Sequence, residues 1–249
     1  MLLRARDDAA TELLDAESSD PEALRANLRD IRRINALLGW TDFTRRSIAR
    51  HVKQAGITSF SLLDVASGSA DIPLAVARWA KHAGVMARIV AADISPQIVT
   101  IAREMSTDTP AITVEQQDAL HLPYPAGSFD IALCTLALHH FAPEQAVEVL
   151  RNLARVGRRV LVFDVERASL AYAGVVALTR LLRMNYMTCH DGPVSVRRAY
   201  SAAEMRAMAA QAELRHAHVS VAFPFRLVLE AEGGLTPNPG TGPSGSPLR

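Results

Sequence analysis

Five short apolar runs alternate with helix-like stretches through the middle of this chain, and that alternation limits the fold more than any other feature. The runs are SLLDVA (61–66), RIVAAD (88–93), ITVEQ (112–116), FDIALC (129–134) and RVLVFDVE (159–166). Runs of this length with intervening helices predict parallel strands joined by right-handed crossovers. HAHVSVAF (216–223) and FRLVLEA (225–231) have only Pro224 between them. No crossover helix fits there, so these two predict an antiparallel hairpin. The expected fold is α/β: a doubly wound, Rossmann-like, seven-stranded sheet, mostly parallel, with a C-terminal antiparallel hairpin and an N-terminal helical cap.

The cap is expected over residues 1–56. Ser19 or Asp20 can cap a helix that opens with Pro21 and Glu22. Leu24, Leu28, Ile31 and Leu38 fall on one face, and Gly39 can end the helix in the left-handed conformation. A second helix is predicted from Thr41 to Ala55, ending at Gly56. Residues 57–232 form the main domain, with an insertion at 167–200 as part of a substrate lid. Ser95 caps the helix begun by Pro96, and Ser201 with Glu204 forms a capping box. Residues 233–249, rich in Gly, Pro and Ser, read as a disordered tail.

Composition mainly excludes. A formal net charge of +1 gives no electrostatic case for nucleic acid. Cys134 and Cys189 belong to no CxxC pair, which argues against zinc and fits a reducing compartment. No apolar run reaches the roughly 18 residues that span a bilayer. A cytoplasmic protein without stable membrane insertion is expected, as a monomer or homodimer.

In an open parallel sheet, ligands bind beyond the carboxyl ends of the strands. Three acids follow three successive strands there: Asp64, Asp93 and Asp118. The small-residue turn Ala66-Ser67-Gly68-Ser69-Ala70-Asp71 lets backbone approach a ligand closely. Asp64 and Asp71 would repel a pyrophosphate. They suit a ligand with a ribose, an adenine and positive charge, and S-adenosylmethionine has all three. Each residue has a plainer reading, since an aspartate after a strand is often only a helix cap. The ordered set carries the argument. A nicotinamide-binding domain would want G-x-G-x-x-G and no acid opening the first turn, and neither condition is met.

LLDVASGSADIP (62–73) resembles motif I of class I methyltransferases, Asp93 stands in the motif II position, and QQDALHLPYPAGSFDIALCTLALHHF (116–141) resembles the next block. The resemblance covers about residues 60–230. It implies that Asp64, Ser67 and Gly68 surround the methionine moiety, Asp93 the ribose, and Asp118 with Ala119 the adenine. Asp71, Ile94 and Thr135 complete the expected cofactor set. Ala66 and Ala70 replace the first and third glycines of the usual motif, which brings a methyl group close to the cofactor.

The blocks ELLDAESSDPEALRANLRDIRRINALLGW (12–40) and LLRMNYMTCHDGPVSVRRAYSAAEMRAMAAQAEL (181–214) resemble methyltransferases associated with bacterial type III polyketide synthases, which act on phenolic lipids. More distantly the chain resembles ubiquinone and menaquinone methyltransferases. The resemblance implies a small apolar aromatic acceptor. A phenol titrates near about 10, so a general base near its oxygen would help by roughly 10²–10⁴-fold. The candidates are His139 and His140 after the fourth strand, and His190 beside Asp191. A backbone-bonded histidine explains His140 equally well, and an Asp-Gly-Pro turn explains Asp191. Arg32, Asn35, Tyr172, Met184 and Tyr186 are candidate acceptor contacts, although the segment 168–187 also reads as an ordinary buried helix. No metal site is expected: Thr135, Leu136, Ala137 and Leu138 offer no magnesium ligands, and zinc lacks a cluster. Three readings remain open. They are phenolic O-methylation, C-methylation of a quinol ring, and a cofactor-binding scaffold without turnover.

Overall fold

The computed structural model describes residues 3, 5–15 and 20–234. Its sheet has seven strands: β1 (Ser59–Val65), β2 (Met86–Asp93), β3 (Ile112–Gln116), β4 (Phe129–Thr135), β5 (Gly157–Val165), β6 (Arg215–Ala222) and β7 (Arg226–Glu232). They lie in the order β3-β2-β1-β4-β5-β7-β6. The first five pair in parallel, and β7 runs antiparallel to both β5 and β6. The sheet predicted from the apolar runs is therefore present.

The central strands read as continuous apolar runs because both faces are covered. On one face α2 (Trp40–Gln54) and α3 (Asp71–His82) pack Trp40, Ile48 and Val76 over Leu62, Ile89 and Phe163. On the other, α5 (Pro143–Val156) and α8 (Ala202–Gln211) lay Leu150, Leu153 and Met205 against Leu63, Val90 and Val160. α4 (Pro96–Ser106) follows β2, and its Ile98 and Ile101 meet Leu24 and Leu28 of α1 (Pro21–Leu37).

The predicted helix ends hold in most respects. Asp20 accepts from the Glu22 amide, Gly39 has φ +71° and Gly56 φ +63°. Ser95 accepts from Ile98, and Ser201 and Glu204 form the reciprocal box. Ser19, the other candidate cap, lies outside the described residues. Leu38 is a correction: it forms the C-cap of α1 and is 38% exposed, because the helix stops before it can face inward. Of the tail expected over 233–249, Gly233 and Gly234 are tied down, donating to the carbonyls of Arg158 and Ala154. The rest lies outside the described residues.

The insertion differs most from expectation. It forms two helices, α6 (Ser169–Leu181) and α7 (Tyr186–Arg198). The Asp191-Gly192-Pro193 turn does not exist, because these residues lie inside α7. Nor is α6 an ordinary buried helix: within it only Ala171 and Thr179 are buried, while Leu170 and Leu181 are 72% and 81% exposed. Between α6 and α7 runs an open cleft of about 440 Å³ lined by Tyr172, Cys189, His190 and Arg197 among others. Among the described residues, no helix is long and apolar enough to cross a membrane.

Candidate active site

The turn after β1 positions the first group of acids. Ala66, Gly68 and Ala70 all have positive φ, of +50°, +57° and +58°. Left-handed backbone costs an alanine about 1–2 kcal/mol, so the two alanines hold this turn at a cost that glycine would avoid. A Cβ built on Gly68 meets nothing within 4 Å, so this backbone borders open space. Ala70 supplies no side-chain cap to α3, whose first turn carries Asp71.

Asp64 is 2% exposed. Ser67 donates to its Oδ2 at 2.7 Å, and its Oδ1 has no partner. Burial, assisted by nearby Asp71 and Asp93, pushes the Asp64 carboxyl up to about 8. Asp93 caps the strand end more fully: Gly68 N donates to Oδ2 at 3.0 Å and Ser95 N to Oδ1 at 3.1 Å. Burial raises its pKa despite those donors and the neighbouring His140. Asp71, also raised by burial, accepts from Asn35 at 3.1 Å and Thr41 at 3.3 Å, with Arg32 close enough to oppose the shift. Arg32 and Asn35 thus reach the cleft from α1 by way of Asp71.

Asp118 accepts from Leu120 N and pairs with His121 at 2.9 Å, with Ala119 buried beside it and Ile94 63% exposed nearby in sequence to Asp93. Thr135, at the end of β4, keeps a buried hydroxyl without a partner. Two of the six orphaned buried side-chain atoms among the described residues therefore belong to Asp64 and Thr135. A buried carboxylate oxygen without a donor, an uncrowded Gly68 and an acid at each of three strand ends fit a ligand bearing an ammonium, a ribose and an amine.

The second group surrounds His139 and His140, in a 3-10 turn (Leu138–His140) after β4. His139 is 3% exposed, and its Nδ1 lies 2.7 Å from Asp164 Oδ1 at the end of β5. Its backbone N donates to the other Asp164 oxygen at 3.0 Å. Burial opposes charge on this ring, but Asp164 and Glu12 outweigh it and raise the pKa to about 10. The two imidazoles stack with centroids 4.5 Å apart. His140 Nδ1 lies 3.0 Å from Asp15.

Glu12 is the residue that sequence reasoning missed. Its Oε1 lies 3.5 Å from His139 Nε2 and its Oε2 lies 3.8 Å from His140 Nε2. Burial alone would raise its pKa, yet the two histidines and Ser195 bring it to about 2. Nothing local in sequence signals this contact. Asp191 makes it, accepting from Leu13 N at 2.7 Å and Leu14 N at 3.1 Å, while Arg198 donates to the carbonyls of Ala10 and His139. The expectation of no metal-type cluster is corrected accordingly, since one ligand atom from each of Glu12, His139 and His140 falls within 4.8 Å of the others.

His190 does not join this group. Its Nδ1 bonds Asp191 at 2.8 Å and its ring lines the α6–α7 cleft with Tyr172. Met184 is buried and Tyr186 is 64% exposed.

Residues 62–159 match a family described as a methyltransferase domain. The matched stretch is a methyltransferase domain of the S-adenosylmethionine-dependent kind. The chain is 35% identical over 103 residues to a demethylmenaquinone methyltransferase of Deinococcus radiodurans, covering 40% of this chain and 41% of that protein. It is 28% identical over 128 residues to a ubiquinone/menaquinone biosynthesis C-methyltransferase of Burkholderia vietnamiensis, covering 50% and 49%. The chain thus spans less than half the length of these curated relatives. In fold it is similar to a SAM-dependent methyltransferase from Aquifex aeolicus (TM-score 0.58, 15% identity, 86% of this chain and 98% of that one). It is also similar to human N-acetylserotonin methyltransferase (TM-score 0.59, 15% identity, 87% and 57%).

Proposed function

We propose that the protein transfers a methyl group from S-adenosylmethionine to a small apolar aromatic acceptor, at a phenolic hydroxyl. Bound in the cleft, the cofactor supplies an electrophilic methyl on a cationic sulfur. Asp64 and Thr135 would meet its amino-acid end, Asp93 the ribose and Asp118 with Ile94 the adenine.

The observation that carries methyl transfer to a hydroxylated ring is the unequal pair of histidines. His139, held charged by Asp164 and Glu12, has no lone pair to offer and serves as a positioning residue. His140 is more open, with a side chain 20% exposed, and acts beside Asp93. With Nδ1–H donated to Asp15, its Nε2 is free to take the acceptor's proton, and Glu12 stabilises the imidazolium that forms. Enclosure by α1, α6 and α7 would exclude water, with Tyr172 and Met184 on the acceptor side.

The relatives named as C-methyltransferases favour a second reading, methylation of a quinol ring carbon, in which His140 deprotonates the ring hydroxyl to activate the carbon. One experiment separates them. The protein is incubated with S-adenosylmethionine and panels of alkyl phenols and quinols, and NMR locates the new methyl group. Methyl on oxygen supports the first reading and methyl on ring carbon the second. Cofactor binding without transfer to any acceptor would favour a scaffold. An unchanged rate in His140→Ala would sink the acid–base assignment.

A further inference from the structure

The geometry points to a divalent-cation site formed by Glu12, His139 and His140. Each imidazole turns its Nε2 toward a different oxygen of one carboxylate, at 3.5 and 3.8 Å. Bonds of about 2.0–2.1 Å to a tetrahedral zinc would place neighbouring ligand atoms about 3.3 Å apart. Both histidine–carboxylate contacts are within about half an ångström of that spacing, and one donor atom from each of the three residues lies within 4.8 Å of the others.

Histidines that bind metal have their second ring nitrogen fixed by a carboxylate or carbonyl, which sets tautomer and ring orientation. Both rings meet that condition: His139 Nδ1 on Asp164 at 2.7 Å, and His140 Nδ1 on Asp15 at 3.0 Å. Glu12 has its own outer partner, Ser195, which donates to Oε1 at 3.0 Å. The turn that carries the histidines is fixed as well. Arg6 donates to the carbonyls of His139 and Phe141, and Arg198 to that of His139.

The donor chemistry argues the same way. Two nitrogens and one carboxylate suit a late first-row ion such as zinc, and not magnesium. Glu12 and His139 are buried while His140 is partly open, so the remaining coordination position is on the His140 side of the cleft. Binding releases the Nε2 proton of His139, and of His140 when it is protonated, while each keeps its Nδ1–H on a carboxylate, so the metal form and the form in which His139 is charged and His140 is the base are mutually exclusive. The metal form would therefore activate an acceptor oxygen by coordination, with that oxygen's proton released to solvent.

The inference does not depend on the acceptor, and its test needs neither acceptor nor cofactor. Untagged full-length protein is cleared of metal with chelator and titrated calorimetrically with zinc sulfate, then with cobalt(II) while the visible spectrum is recorded. The expected result is one zinc per chain at micromolar affinity or tighter, with a cobalt ligand-field band of tetrahedral or five-coordinate intensity. Glu12→Gln and His140→Ala should lose about 100-fold or more in affinity, and Asp15→Asn about 10-fold. His216→Ala, on the far hairpin, should bind as wild type does. Circular dichroism establishes that each variant is folded, and Asp15→Asn carries the test if Glu12→Gln is not. No zinc binding by the folded wild type, or equal binding by wild type and these folded site variants, would overturn the site.

Discussion

Along β1, β2 and the turn after β3, the cleft presents Asp64, Asp71, Asp93 and Asp118, whereas along β4 and β5 it presents His139 and His140 held by Asp164, Asp15 and Glu12. The first group is short of cations. Asp64 has a bare oxygen and a pKa near 8, and Asp71 and Asp93 are also raised by burial. The second group is internally paired, with His139 raised to about 10 and Glu12 lowered to about 2. The acid half is built for a ligand that brings positive charge, and the histidine half has gathered its charges from within the chain.

The sharpest test removes one acid from each half. Asp164→Ala leaves His139 charged, buried and without its nearest partner, and breaking such a pair costs about 3–5 kcal/mol. At about 2–4 °C per kcal/mol for a chain of this size, thermal denaturation should show Tm falling by roughly 10 °C. An unchanged Tm would mean that the histidine half is not held by its charges.

Asp64→Asn should act in the opposite direction. A carboxyl whose folded pKa lies above its unfolded value stabilises at low pH and loses that contribution as pH rises from about 4 toward 8. The ligand-free variant should therefore gain on the order of 2–4 kcal/mol over wild type at pH 8, and little at pH 4. Chemical denaturation at the two pH values checks this. Equal stability at both would show that Asp64 already has its counter-charge.

Asp93→Ala addresses the ligand directly. Losing charge-assisted hydrogen bonds to a ribose costs about 1.5–3 kcal/mol, or on the order of 30-fold in S-adenosylhomocysteine affinity by calorimetry. Undiminished affinity would remove Asp93 from the cofactor site. The smallest effect is local. Ala66→Gly relieves a left-handed alanine and should raise stability by up to about 1 kcal/mol. A loss instead would mean that the Ala66 methyl contributes packing worth more than the backbone cost.

The same division marks what could be read from the sequence. The acid half is made of local signals: an apolar run, an acid at its end and small residues in the turn, so Asp64, Ser67, Gly68 and Asp93 came together where expected. The seven strands and their mostly parallel pairing were legible for the same reason, and the hairpin from a spacing of one residue. The histidine half depends on Glu12, Asp15, Asp164 and Arg198, which meet only in three dimensions. Glu12 precedes the first long helix in a stretch without periodicity, so no pattern connects it to His139. Gly192-Pro193 suggested a turn because both residues disfavour helix interiors, but α7 continues through them, with Asp191 held by Leu13 and Leu14.

The position of β7 bears on how the molecule is made. The strand that completes β5 is the last among the described residues, with Leu227 paired to Asp164 and Arg226 to Val165. Arg226 also lies 5.1 Å from the rings of Trp40 and Phe43. As the polypeptide leaves the ribosome, residues 59–135 already contain every strand of the acid half. β5 must wait with an open edge until residue 232 has emerged, a state prone to mispairing with other chains. The cleft is thus assembled in two instalments, and a chain cut short before Arg226 would lack the support that holds Asp164 against His139.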